Sequence, residues 1–374
     1  MSVIYLENQH QITAEELSKI NHAENIPYIN EVDDSLVDAL KFAWQWLRGN
    51  SQFEQLTSGS TGSPKTISVH REQMTASAQM TIEALGLNQH DSSLLCLSAE
   101  YIGGKMMVVR SLLGNMDLVI TRPTSNPLPY LPFMPTFAAF VPLQMQTLLE
   151  EETSKQLNRM KAIIIGGAPV SNLLEEQIFA NLTIPVYSTY GMTETVSHIA
   201  LRKLSPPKAS VYFEVLGSTQ IMTDERGCLK IKGKVTQGKW LTTNDLVEIK
   251  NDHQFLWLGR YDSVINSGGV KVVPEEIEKV LEPILRKQNF TGRFLISSLP
   301  DSKFGERVVL LVEGNAISSE LEKVILKEAA QQLSPYRLPK AIYYLPQFAE
   351  TSTRKVQRGR SQALLIQLLT TPDR

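Results

Sequence analysis

Cysteine is almost absent: Cys96 and Cys228 stand far apart, outside any ligand-like spacing, in a chain of 374 residues. A disulfide scaffold and a cysteine-bound zinc site both lack support. Neither charge is in excess, since 37 Lys and Arg against 39 Asp and Glu leave a net charge of −2 with the signs interspersed. That argues against the basic stripe of a nucleic-acid surface. No uninterrupted apolar run is long enough to span a bilayer. The opening stretch MSVIYLENQH has neither the basic start nor the apolar core of a signal peptide. The expectation is a soluble, cytoplasmic protein with no membrane insertion. There is no internal repeat, and the one biased tract, RPTSNPLPYLPFMPT (residues 122–136), carries five prolines and reads as a stiff extended connector.

What is present is an ordinary globular composition, 42% hydrophobic and 20% charged, at a length that suits two or three domains. Residues 1–50 read as a short leader containing one helix, Asp34–Leu47, capped by Asp34, with Leu36, Val37, Leu40, Ala43, Trp44 and Leu47 on one stripe. A second helix is predicted over residues 72–87, closed by Gly86. The runs SLLCLS, MDLVIT, FAAFVP, AIIIGG and PVYSTYG then alternate with helical patterns, which predicts a parallel α/β sheet with binding loops at its strand ends. From about Val211 the runs shorten to FEVL, CLKIKG, LVEIK and QFLWLG, as in a small β-rich unit. A helix then starts at Pro274 and is expected to end or kink at Pro283, within a compact α+β tail.

The densest cluster of small and hydroxylated residues is TSGSTGSPK, residues 57–65. It fails as a nucleotide-binding P-loop: the second required glycine falls on Pro64, which has no N–H, and the following TISVH alternates like a strand. A glycine-rich turn between two strands, with Thr57, Gly59 and Gly62 in it, could still present several N–H groups to an anion, aided by Ser58, Ser60, Thr61, Ser63 and Lys65. On this stretch alone, a flexible hairpin turn is an equal reading.

Four further stretches follow in order: GGAP (residues 166–169), STYGMTET (188–195), TTNDL (242–246) and GRYDSVINSGGVKVVPEEIE (259–278), with ETSTRKVQR (350–358) closing the chain. Together with TSGSTGSPK they resemble the acyl-adenylate-forming superfamily of acyl-CoA synthetases, peptide-synthetase adenylation domains and luciferases. The resemblance runs from about Thr57 to Arg358. It implies an α/β fold: a large N-terminal domain, residues 1–261, of mixed and parallel sheets flanked by helices, with a small β-rich subdomain at about 205–261. A small mobile α+β C-terminal domain, 262–374, would follow a hinge at Asp262.

The resemblance also assigns roles. The 57–65 loop would grip the leaving phosphates of ATP. Glu194 would hold Mg²⁺, with Thr193 reaching the α-phosphate. Tyr190 would offer its flat face to adenine, Gly166 and Gly167 would let the base approach closely, and Ala168, Gly191 and Met192 would also line the ATP or AMP site. Asp245 and Arg260 would bind ribose and phosphate, and Lys355 would bridge the attacking carboxylate and the α-phosphate. Gly268, Gly269 and Lys271 would meet coenzyme A. The sequence departs from the pattern at Asn244 and Arg354, where glycines are usual, and its region before Thr57 is short, which leaves room for a partner or a second copy to cover the site. YIGGKMMVVRSLLG (residues 101–114) and YGMTETVSHIALRKL (190–204) look most like the o-succinylbenzoate–CoA ligases of menaquinone synthesis. A dicarboxylic acid needs a second anion anchor, and Lys105, Arg110, His198 and Arg202, with Ser197, are the nearby candidates. The residues leave open that Arg110 is an ordinary helix-surface arginine. They also leave open another acid, a carrier-protein acceptor, or a non-catalytic relative that only binds nucleotide.

Overall fold

The computed structural model describes residues 2–7, 10–56, 66–290, 292–351 and 356–370. The loop 57–65, Arg354 and Lys355 lie outside these. The five apolar runs form parallel strands at Ser92–Leu95, Asp117–Ile120, Phe137–Phe140, Ala162–Ile165 and Val186–Gly191. Phe137–Phe140 and Ala162–Ile165 are buried along their whole length, as strands covered on both faces must be. Alternate residues feed opposite cores: Leu95, Ala139 and Ile164 join one cluster, and Leu94, Ala138 and Ile163 the other. Helices Asp34–Leu47, Arg71–Leu85 and Ile102–Leu113 cover the first face; Pro142–Glu150 and Asn172–Asn181 cover the second.

Residues 1–50 are not a leader outside the fold. Val3–Leu6 runs parallel to Asp117–Ile120 and antiparallel to Gln11–Thr13, burying Ile4 and Leu6 completely. The helix Asp34–Leu47 forms as expected, but its cap is Asp33, whose carboxylate accepts from the Ser35 N–H at 3.0 Å. Helix Arg71–Leu85 closes at Gly86, in the left-handed region at φ +61°, with Leu87 N–H donating to Ile82 O at 2.9 Å.

The β-rich stretch stays bonded to the large sheet. His198–Lys203 pairs antiparallel with Val186–Gly191, and Phe213–Val215, Gln254–Arg260, Leu241–Asn251, Cys228–Lys232 and Gln220–Thr223 follow in spatial order, 13 strands among the described residues. A second sheet contains Val270–Val272, Ile265–Ser267, Gly305–Glu313 and Phe294–Asp301, with Ile342–Leu345 parallel to Gly305–Glu313. Helices Pro274–Lys287 and Ser319–Ala330 pack on one face and Arg358–Thr370 on the other. Pro283 does not end its helix, which continues to Lys287. The carbonyl it leaves without an N–H belongs to Lys279, which like Pro283 is exposed, so water can satisfy it while Ile284 and Leu285 bury beyond.

The two parts touch where Val273 and Glu275 pack closely on Gly259 and through further polar contacts. Arg286 pairs with Glu176 at 2.6 Å, and the Glu282 carboxylate accepts from the N–H groups of Asn172 and Leu173 at 3.2 Å each, at the start of the helix Asn172–Asn181.

Candidate active site

Asp245 and Arg260 face each other in register across Leu241–Asn251 and Gln254–Arg260. Asp245 is buried, with Tyr190 Oη donating to one oxygen at 2.7 Å and Trp257 Nε1 to the other at 3.2 Å. Each carboxylate oxygen has two lone pairs, so each retains one that a ribose hydroxyl could use. Burial and the neighbouring Asp245 raise the Tyr190 phenol well above its usual range, so it stays protonated and donates. The Tyr190 ring is held edge-on by Phe255 and Phe213, at 5.1 and 5.8 Å. Arg260 reaches back to Asp262, Nε and one terminal nitrogen donating at 3.0 and 2.9 Å, and lies 3.8 Å from Asp245. Those hydrogen bonds hold the Asp262 carboxyl below its usual range. Asn244 sits where the strand alternation turns side chains outward; it is exposed and accepts from Arg226 at 3.1 Å, so the expected glycine is not needed.

The second cluster is built by the bend after Val186–Gly191. A Cβ on Gly191 would come within 2.3 Å of Ser197 O and 2.5 Å of His198 Cα, so glycine is what lets the chain fold back so closely. Between them, Thr193–Thr195 forms a single turn closed by Val196 at φ +68°, a strained value for a β-branched residue. Glu194 is exposed, and none of the described residues donates to its carboxylate. No group of three His, Cys, Asp or Glu side chains among the described residues could hold a metal. Glu194 therefore offers one carboxylate to a hard cation, whose other ligands would be phosphate oxygens and water. Gly166, Gly167 and Ala168 follow directly on Ala162–Ile165, where Gly166 packs against Thr189 beside Tyr190.

Arg110 is not on the helix surface. It is 2% exposed, with Nε donating to Thr81 Oγ1 at 3.2 Å, one terminal nitrogen to Ser197 Oγ at 2.8 Å and the other near Met107 Sδ at 3.6 Å. No carboxylate among the described residues pairs with it, and burial pushes its pKa down to about 9. His198 lies within hydrogen-bond reach of Thr81 and Ser197; burial, then the Arg110 charge, hold it well below 6.5, so it is neutral. Ser197 is the half-exposed end of this buried group.

The other two cations proposed for the acid have different work. Arg202 forms a bidentate pair with Glu175 at 2.5 and 3.0 Å, which uses its charge elsewhere. Lys105 donates to Glu54 O and to Gln55 Oε1, both at 3.0 Å, fixing the strand Gln52–Leu56 that leads into the 57–65 loop. Gly268 and Gly269, both with positive φ, form the two-residue turn between Ile265–Ser267 and Val270–Val272. Contacts of that hairpin run to Phe304, Tyr336 and, from Lys271, to the Tyr261 ring, and none is with the Asp245 or Arg110 groups. Thr81 and Trp257, which hold Arg110 and Asp245, lie in no motif. A sequence signal existed only for Thr81: Ser77 and Thr81 are two hydroxyls four apart in an otherwise helix-like run.

Residues 51–225 match the family described as AMP-binding enzyme. A crystal structure from Dyadobacter fermentans, described as an acyl-CoA synthetase (AMP-forming)/AMP-acid ligase II-like protein, is 41% identical with a TM-score of 0.60, covering 95% of this chain and 99% of that one. A 2-succinylbenzoate–CoA ligase of Bacillus cytotoxicus is 27% identical over 342 residues, 83% of this chain and 69% of the relative. The o-succinylbenzoate coenzyme A synthetase of Bacillus subtilis, in complex with ATP and magnesium ion, shares the fold at 23% identity and a TM-score of 0.67, over 82% of this chain and 69% of that one.

Proposed function

We propose that this chain, which belongs to the AMP-binding enzyme family, activates a carboxylic acid with ATP as acyl-AMP, releases pyrophosphate and passes the acyl group to coenzyme A, the acid being o-succinylbenzoate. The observation that carries this reading is Arg110: a buried cation with no acidic partner among the described residues, bonded to Ser197, three residues beyond Glu194. An uncompensated buried charge is costly, and a substrate carboxylate would relieve that cost. An acid that must keep one carboxylate for Arg110 and present another to ATP is a dicarboxylate, as the names of the curated relatives suggest.

The reaction brings one anion against another, so charge must be neutralised before attack. Asp245 binds the ribose, with Tyr190 and Trp257 fixing its oxygens. Arg260 leaves Asp262 to take up ribose and phosphate. Glu194 would hold magnesium with phosphate oxygens and water, and the ion supplies positive charge to the departing pyrophosphate. Thr193, next in the same turn, donates to the α-phosphate. Roles for Ser58, Gly59, Ser60 and Thr61 on the leaving phosphates, and for Lys355 at the reacting oxygens, rest on the motif resemblance, because these residues lie outside those described. Gly268, Gly269 and Lys271 meet coenzyme A after residues 262–374 rotate about Asp262 relative to 1–261. No helix among the described residues is long and apolar enough to cross a membrane, and the enzyme's site of action is the cytoplasm.

The test is acid-dependent exchange of labelled pyrophosphate into ATP across a panel of acids, followed by thioester formation with coenzyme A. O-succinylbenzoate should support both steps better than benzoate or a fatty acid. Comparable turnover of all three would remove the substrate assignment and leave the reaction class.

A further inference from the structure

Three side-chain contacts meet at one hydroxyl that no motif contains. Thr81 is fully buried on the helix Arg71–Leu85, where Arg110 Nε lies 3.2 Å from its Oγ1, His198 Nε2 2.9 Å and the Ser77 carbonyl oxygen 3.2 Å. A hydroxyl has one proton and two lone pairs, and a guanidinium can only donate. One arrangement makes hydrogen bonds of all three contacts: Thr81 donates to Ser77 O and accepts from Arg110 Nε–H and His198 Nε2–H. The His198 Nδ1 is then a lone pair directed at Ser197 Oγ, 3.5 Å away, and Ser197 in turn accepts from Arg110 at 2.8 Å. Of the five guanidinium N–H groups, Thr81, Ser197 and Met107 engage three, so two remain for another acceptor. Two parallel N–H groups are what a carboxylate accepts.

We propose that Thr81 is a positioning residue for recognition of the second carboxylate of a dicarboxylic acid: it sets the Arg110 guanidinium and the Nε2–H tautomer of His198, keeping two Arg110 donors for the incoming anion. This deepens the reading above and rests on its placement of Arg110 at the acid. Thr81 touches no reacting atom, so its removal acts on acid binding and not on the chemical step. Without Thr81 Oγ1 the guanidinium loses its inner tether and His198 loses the acceptor for its Nε2–H.

Thr81→Val keeps the shape and deletes the oxygen; Thr81→Ser restores it. With o-succinylbenzoate, Thr81→Val should raise KM for the acid about ten- to hundred-fold, the scale of one hydrogen bond to a charged group, with kcat and KM for ATP unchanged. Thr81→Ser should stay within about twofold of the parent, on the same principle of a retained acceptor. Benzoylpropionate and butyrylbenzoate, each lacking one of the two acid groups, separate the sites: the acid without the carboxylate that meets Arg110 should be insensitive to the substitution. Equal losses with o-succinylbenzoate and with the analogue that keeps only the activated carboxylate, or a fall in kcat at constant KM, would overturn the proposal, as would failure of Thr81→Ser to restore binding. Ring-nitrogen shifts of labelled His198 give a readout free of substrate: the Nε2–H tautomer in the parent, lost in Thr81→Val. If the parent prefers no dicarboxylate, the substrate reading fails by that result alone. An unchanged His198 tautomer then still sinks the role of Thr81.

Discussion

A guanidinium buried beside a neutral imidazole, two hydroxyls and a thioether is stabilised by few of its neighbours. Arg110 sits in this position, and a protein selected for stability alone would place methionine or leucine there. Arg110→Met should therefore raise the urea midpoint, by about 1–3 kcal/mol of stability for a removed buried charge with unmet donors, while acid-dependent exchange collapses. A lowered midpoint would mean that the arginine is a structural strut. The same variant has a pH signature. His198 is neutral in the folded protein while the unfolded chain binds a proton near pH 6.5, so stability is complete above about that pH and declines as pH falls below it. Burial is the larger cause and persists in Arg110→Met; the Arg110 charge is the smaller, so the decline should become shallower without vanishing. At this scale the sequence revealed groups whose chemistry is tied to a motif, such as Asp245, Tyr190 and Arg260. It hid Trp257 and the burial of Arg110, because an indole or an arginine on a helical pattern is the same letter whether it faces solvent or the interior.

Elements were legible where their cause is local. Gly86 ends its helix because glycine tolerates φ +61°, and the fully apolar strands reflect burial on both faces. Where the cause lies elsewhere in the chain, local reading failed. Pro283 would break an isolated helix, yet Ile284 and Leu285 are drawn into a core built by other segments. Val3–Leu6 looked like a leader because nothing in four residues reports pairing with Asp117–Ile120. Gly191 carries the most consequence for the site, since it allows the return that places Glu194 and Ser197. In Gly191→Ala the new Cβ meets backbone, not a flexible side-chain tip, so the strand pair must open. A loss of about 1–3 kcal/mol is expected, the usual cost of overpacking, together with weakened pyrophosphate exchange as the Thr193–Thr195 turn shifts. An unchanged urea midpoint and exchange rate would show that the two segments are not held this close.

Over the whole molecule, the order of six motifs carried most of the fold, while the merging of the β-rich strands into one large sheet could not be read from strands this short. The apolar cores built by residues up to 257 and those built by 265–366 share no member. The two parts meet through Arg286 with Glu176, through Glu282 at a helix start, and through the close packing of Val273 and buried Glu275 on Gly259. The ion pair is 41% and 58% exposed, and such pairs are worth about 0–1 kcal/mol, so it adds little to the hold between the parts. Between the parts lies the turn Tyr261–Ser263, in which Asp262 is tied to Arg260. On the proposed rotation, Asp262 has two separable attributes, a carboxylate paired with Arg260 and a backbone that would turn. Asp262→Ala removes only the first, and should retain both acyl-adenylate formation and transfer to coenzyme A. Asp262→Pro removes the carboxylate, deletes the N–H and fixes φ near roughly −65°. It should keep most adenylate formation and lose most transfer if, as proposed, only the second half-reaction needs the rotated state. The two half-reactions are measured separately, by pyrophosphate exchange and by thioester formation from preformed acyl-AMP. Transfer lost equally in Asp262→Ala would trace the effect to the Arg260 pairing, and a proline variant intact in both steps would place the hinge at another residue.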